Sequence, residues 1–153
     1  MDADDELWSA LDRVAETPAL LVACAFDGAL APDDGDPAQA RAEQVSSEAL
    51  NVLMALPDTT VAVVSERPSD EVAELMFLSG SKGGARVVAP DGLPALRAEL
   101  GATAAVVVGV TADGQAGADD VVVGVGEPAP YEVEDVDDVA EVLEELAGLR
   151  RRR

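Results

Sequence analysis

The chain contains no histidine, one cysteine, one lysine and four aromatic residues among its 153. Without histidine, neither a Ser-His-Asp triad nor a His-ligated zinc site can be assembled from it. Cys24 stands alone, so no disulfide forms within one chain, and its place in an apolar run predicts a buried, reduced thiol. Basic side chains are also scarce. Ten Lys and Arg face 31 Asp and Glu, for a formal net charge of −21. So acidic a body is not expected to bind nucleic acid or an anionic membrane, because phosphate is held by clustered Lys and Arg. No apolar run approaches the roughly 20 residues that span a bilayer. The opening Met1-Asp2-Ala3-Asp4-Asp5-Glu6 is acidic where a secretion signal is basic, so a cytoplasmic location is expected. The acid excess fits a salt-adapted or a GC-rich genome, and composition does not separate the two.

With so few aromatics, the core must be built from Ala, Val and Leu in regular layers, which favours α/β packing. A chain of this length suits one domain that buries about 70% of its unfolded surface. We expect that domain over residues 1–149, followed by a basic tail, Arg150 to Arg153, whose first Arg favours a helix C-terminus. The tail is also the one concentrated positive charge available to an acidic partner.

Four apolar runs read as buried strands: about 19–25, 59–65, 104–108 and 121–126. Between them lie helical patterns at about 4–16, 46–56, 69–77, 93–100 and 135–148. Trp8 falls on the apolar face of the first and is expected to pack there. The Gly-rich stretch from Leu78 to Gly92 reads as a hairpin at the sheet edge, or as a phosphate-cradling loop around Lys82, Gly83 and Gly84. Tyr131-Glu132-Val133 is a short segment before the last helix. Strands alternating with helices predict a doubly wound parallel sheet in three layers.

The first strand breaks at Asp27-Gly28, and in such sheets ligands bind at the strands' carboxyl edge. Asp27-Gly28 serves as a turn or as part of a site. Ser65, which ends the second strand, caps the following helix or directs its hydroxyl at a phosphate. Arg67 and Lys82 are the further cationic donors, and Asp113-Gly114 reads as a turn or a remnant acid position.

The stretch Ala25-Phe26-Asp27-Gly28-Ala29 resembles the D-x-D-G-T motif of haloacid dehalogenase-type phosphatases. Leu56 to Ser65, Gly80-Ser81-Lys82-Gly83-Gly84 and Val123 to Tyr131 extend the resemblance to the trehalose-6-phosphate phosphatase branch. It implies a five-stranded core ordered 5-4-1-2-3. Asp27 stands at the general-acid position, Ala25 replaces the attacking Asp, Ser65, Arg67 and Lys82 are the phosphate-binding set, and Asp27 with Asp113 is the remnant of a magnesium site. Glu66 replaces a Gly, Asp91-Gly92 stands where a phosphate-binding Lys belongs, and the metal run is reduced to Gly109-Val110-Thr111-Ala112-Asp113. Too few residues separate Ser65 from the helix at 93 for a cap domain. The resemblance thus implies a catalytically degenerate trehalose-phosphatase-like protein, without cofactor, acting through a trehalose-pathway partner or through self-association. The alternatives it leaves are a magnesium-dependent phosphomonoesterase using Asp27 and Asp113, and a phosphosugar-binding module.

Overall fold

The computed structural model describes residues 3–26, 29–30, 44–65, 86–109, 120–126 and 131–152. Six parallel strands form one sheet: β1 (Leu20–Ala25), β2 (Thr59–Val64), β3 (Arg86–Val88), β4 (Ala104–Val108), β5 (Val121–Val125) and β6 (Tyr131–Val133). Their order is β3-β2-β1-β4-β5-β6. Read from the far side, the five expected strands keep the order 5-4-1-2-3, and β6 is added beyond β5.

Strand alternation builds the layers. Leu20, Val22 and Cys24 of β1 face one side, where they join Leu7 and Leu11 of α1 (Ala3–Val14) and Leu50 and Leu53 of α2 (Gln44–Ala55). Val139, Leu143 and Leu146 of α4 (Val136–Arg151) complete that cluster. Leu21 and Ala23 face the other side, against Leu93 and Leu96 of α3 (Leu93–Leu100). Both faces of the central strands are therefore covered, which is why β1, β2 and β4 read as unbroken apolar runs rather than alternating ones. Each fully buried Leu contributes about 2–3 kcal/mol of transfer free energy. Trp8 packs partly buried against the first cluster.

Local chemistry sets the helix ends. Asp135 caps α4 by accepting from the Asp138 N–H at 3.2 Å, while Asp138 Oδ2 accepts from the Glu134 N–H at 2.9 Å. These reciprocal bonds satisfy donors that the helix leaves open, and Asp137 and Asp138 complement its dipole. A 3-10 turn, Pro90–Gly92, leads into α3.

Three expectations are sharpened. Of the stretch from Leu78 to Gly92, expected as a hairpin, residues 78–85 lie outside the described residues. Residues 86–88 pair parallel with β2, in the register Ala62↔Arg86, as the edge strand β3. The segment at Tyr131 is a sixth strand, paired as Val123↔Tyr131 and Val125↔Val133. Tyr131 and Val133 pack on the core while Glu132 is exposed, the pattern of a half-buried edge strand.

Third, Arg150 does not begin a frayed tail. Helix α4 continues to Arg151, and Arg150 is only 5% exposed. Its Nε donates to Thr59 Oγ1 at 2.9 Å, its Nη1 to the carbonyls of Ala15 at 2.9 Å and Thr17, and its Nη2 to the carbonyl of Asp58 at 3.0 Å. The end of α1 leaves carbonyls without helical partners, and the guanidinium satisfies them from across the sheet's amino edge. Asp58 itself adopts φ 53, a left-handed conformation that Asp tolerates, and its carbonyl also accepts from the Leu20 N–H at 2.9 Å. The helix expected at 69–77 lies outside the described residues.

Candidate functional site at the carboxyl edge

The chain runs from β1 outward to β2 and β3, then returns to place β4 on the other flank of β1. That reversal opens a crevice beyond the carboxyl ends of β1 and β4, the place where open α/β sheets bind ligands. Ala25 ends β1 and is half-buried. The Phe26 N–H donates to the Val64 carbonyl at 3.0 Å, which extends the ladder by one bond and leaves Phe26 fully buried. The Leu30 N–H then donates to the carbonyls of Ala25 and Phe26, each at 3.2 Å, so the chain has doubled back within five residues. Ala29 and Leu30 are both fully buried.

Gly109 faces this turn from the end of β4. It has φ +74, and its N–H donates to the Val123 carbonyl at 2.8 Å. A Cβ at this position would lie 2.9 Å from Ala29 Cβ and 3.3 Å from Ala25 Cβ. Only glycine satisfies both the backbone conformation and the close approach. Ala25, Ala29 and Gly109 therefore meet at the crevice as three of the smallest side chains available. None of them can donate a proton, accept one, or attack.

Ser65 follows β2 at the same edge. It is 8% exposed, and its N–H donates to the Val88 carbonyl at 2.9 Å, which ties the end of β2 to β3. Of the residues expected to form the site, the structure thus places Ala25 and Ser65 on one sheet edge. Asp27, Arg67, Lys82 and Asp113 lie outside the described residues. Among the described residues no group of three or more His, Cys, Asp or Glu comes together. The described side chains at the crevice offer a divalent cation one hydroxyl, and the carboxylates expected for magnesium, Asp27 and Asp113, lie outside the described residues.

The thiol of Cys24 lies one residue before Ala25 and is fully buried. Desolvation pushes its pKa up to about 12 from an ordinary 9.0, so it is neutral at physiological pH and no nucleophile.

Some polar residues escaped the sequence reading. Asp120 precedes β5, and its carboxylate, 1% exposed, accepts from both Arg97 Nη1 and Arg97 Nη2 and, at 3.0 Å, from the Ala105 N–H. Its hydrogen bonds hold the Arg97 guanidinium above its ordinary value. This pair sits at the amino edge, away from the crevice. Ser46 and Ser47 in the first turn of α2 are fully buried, and among the described residues their hydroxyls have no hydrogen-bond partner. Polar residues opening a helix read as caps, and nothing in the sequence marks these two as enclosed.

No protein-family model matches the sequence, and no curated protein does. The fold does have solved counterparts. A 3-deoxy-D-manno-octulosonate 8-phosphate phosphatase from Moraxella catarrhalis, in complex with magnesium, phosphate and KDO, superimposes with a TM-score of 0.59 at 14% identity, covering 97% of this chain and 95% of that one. A Legionella pneumophila protein assigned as a HAD superfamily (subfamily III A) hydrolase gives 0.63 at 15% identity, covering 98% and 91%. At these identities the likeness speaks for architecture alone: the chain has the haloacid dehalogenase-like α/β fold over nearly its whole length.

Proposed function

We propose that this protein is a trehalose-phosphatase-like member of the haloacid dehalogenase fold that has lost phosphoryl transfer and acts through binding or association. The observation that carries this reading is Ala25. At the end of the central strand, beside the switch-point crevice, stands a methyl group close to Gly109, where the resembling enzymes place the attacking carboxylate. A covalent mechanism divides one difficult displacement into two easier ones, and removing the nucleophile from such an enzyme costs up to about 10⁶-fold in turnover. Asp27 stands two residues further along, beyond the last ladder bond at Phe26. If it took over the attack, the general-acid position would be vacant.

The absence of a cap domain does not weigh in this reading. The Moraxella phosphatase and this chain are each covered at 95% or more, so nearly all of either chain lies in the shared extent. A phosphatase of this fold therefore exists at this size. The same comparison, with magnesium and phosphate bound to that protein, favours a second reading: a magnesium-dependent phosphomonoesterase using Asp27 and Asp113.

The two readings part in an assay of the full chain on trehalose 6-phosphate and on a generic phosphomonoester, with and without millimolar magnesium. Turnover at the level of buffer supports the degenerate reading. Magnesium-dependent turnover that Asp27→Ala abolishes overturns it in favour of the second. Calorimetry with trehalose 6-phosphate separates phosphosugar binding through Ser65, Arg67 and Lys82 from association with a trehalose-pathway protein or with itself. The absence of both heat and thermal stabilisation near millimolar ligand would exclude the sugar.

A further inference from the structure

We infer that the open side of β6, with the groove beside it between α1 and α4, is a docking surface for a short extended peptide rich in arginine or lysine from another protein. Strand β6 ends the sheet, and among the described residues no strand pairs with its outer side. The Gly126 N–H donates to the Val133 carbonyl at 2.8 Å, so Val133 spends its main-chain groups on β5. Strand alternation then turns those of Glu132 outward, free for one added strand. The groove beside this edge encloses about 320 Å³. Trp8 and Val133 are its part-exposed apolar members, with Leu7 and Val142 buried beneath them, and Trp8 is the only tryptophan of the chain.

Charge complementarity selects the occupant. In a chain with 31 acids a cluster of carboxylates says little by itself, but here Glu134 and Glu141 line a groove that also holds an indole face and adjoins an open edge. Neither Glu has an ion-pair partner among the described residues. A guanidinium or ammonium stem is the side chain that uses such a floor and rim together: its methylenes cover apolar surface, and its charge meets the carboxylates and the indole. The net charge of −21 steers a basic partner toward the molecule and repels a second copy. The protein's own Arg151 and Arg152 end α4, a 16-residue helix about 24 Å long, while the groove flanks its first turns, so they do not fill it in the same molecule.

Trp8 makes the inference directly testable, because its fluorescence reports on this groove alone. The full chain is titrated with an acetylated, amidated tetra-arginine peptide and with a Gly-Ser peptide of equal length, in 0.15 M salt. We expect a saturable change in Trp8 emission with the basic peptide only. Replacing Glu134→Gln and Glu141→Gln together should weaken binding at least about tenfold. The control pair Asp12→Asn and Asp91→Asn, which removes equal charge from exposed positions outside the groove, should weaken it less than about twofold. Circular dichroism checks that all variants remain folded. Equal weakening by both pairs would overturn the inference in favour of general attraction to an acidic body. Absence of a saturable change overturns it too, as does sedimentation of the free chain as a multimer, which would assign the groove to the Arg151–Arg152 end of a second copy.

Discussion

The two edges of the sheet are built from different chemistry. At the amino edge, Arg150 gathers the ends of α1, β2 and α4. Thr103 Oγ1 links Thr17 Oγ1 at 2.6 Å with the N–H and carbonyl of Ala19, and Asp120 is held by Arg97 and Ala105. Nearly every polar group there is answered by another from a distant segment. At the carboxyl edge, the described residues around the crevice are Ala25, Phe26, Ala29, Gly109 and Ser65, and four of the five have no polar side chain. Sites of α/β proteins lie at carboxyl edges because loops there vary without disturbing the core. Among the described residues, the long-range polar contacts hold the sheet together at its amino end.

The largest expected effect tests the amino edge. Arg150→Met keeps the aliphatic stem but removes the hydrogen bonds to the carbonyls of Ala15, Thr17 and Asp58 and to the Thr59 hydroxyl, of which the last two keep the Leu20 N–H and the Pro57 carbonyl as partners. Losing four buried bonds from a charged donor costs about 3–5 kcal/mol. Urea unfolding of Arg150→Met should show that loss, whereas Arg151→Met, exposed on the same turn, should stay within about 0.5 kcal/mol. Equal behaviour of the two would remove the basis for contrasting the edges.

Next comes Gly109→Ala at the carboxyl edge. A side chain at φ +74 costs about 1–2 kcal/mol, and a contact of 2.9 Å with Ala29 Cβ adds the strain of overpacking, about 1–3 kcal/mol. A total of about 2–5 kcal/mol by thermal or urea unfolding would show the crevice walls to be as tightly determined as the core. A neutral substitution would mean that the turn after β1 can yield and make room for a ligand.

How far the fold could be read in advance follows from which residues carry the signal. Strands buried on both faces announce themselves, and Leu20 to Ala25, Thr59 to Val64 and Ala104 to Val108 were legible within about a residue, because every position had to be apolar. β6 was not, since three residues with an exposed Glu132 at their centre fall below any periodicity. β3 was read only as part of a Gly-rich hairpin, because a short Val-Val run after glycines carries no mark of its partner in β2. Arg150 was the largest miss. Its burial depends on carbonyls from two remote segments that meet only once the sheet exists, and a run of arginines at a chain end reads as tail. Of the residues expected at the site, Ala25 and Ser65 lie at the sheet edge that the ends of their strands marked in the sequence. The close packing of Gly109 on Ala29 needed three dimensions.

A smaller effect, of opposite sign, is expected in the first turn of α2. Among the described residues, Ser46 and Ser47 bury hydroxyls without hydrogen-bond partners, and an unsatisfied buried hydroxyl costs about 1–3 kcal/mol. Alanine fits the space each leaves and favours the helix, so Ser46→Ala and Ser47→Ala should each raise stability, by about 1 kcal/mol. If either instead destabilises, its hydroxyl has a partner such as an internal water, and the carboxyl edge is more polar than its described side chains suggest.

The smallest effect at neutral pH belongs to Cys24, and it bears most directly on whether the carboxyl edge is chemically inert. The thiol sits one residue from Ala25 and is the only sulfur nucleophile of the chain. Its pKa is raised in the folded protein, from 9.0 to about 12, so the unfolded chain releases this proton more readily than the native one. Stability from this group is therefore complete below pH 9 and is lost as the pH rises from 9 toward about 12, where the unfolded thiolate draws the equilibrium. Cys24→Ala should flatten that alkaline decline, read from melting temperatures between pH 7 and 11, while changing the neutral value only by the small cavity it leaves. At pH 7.5 a thiol reagent should modify native Cys24 more than about 10³-fold slower than the denatured chain, since access requires opening a core whose stability is at least about 5 kcal/mol. Rapid modification of the native protein would place a reachable nucleophile beside Ala25, and the contrast between a built amino edge and an inert carboxyl edge would fall.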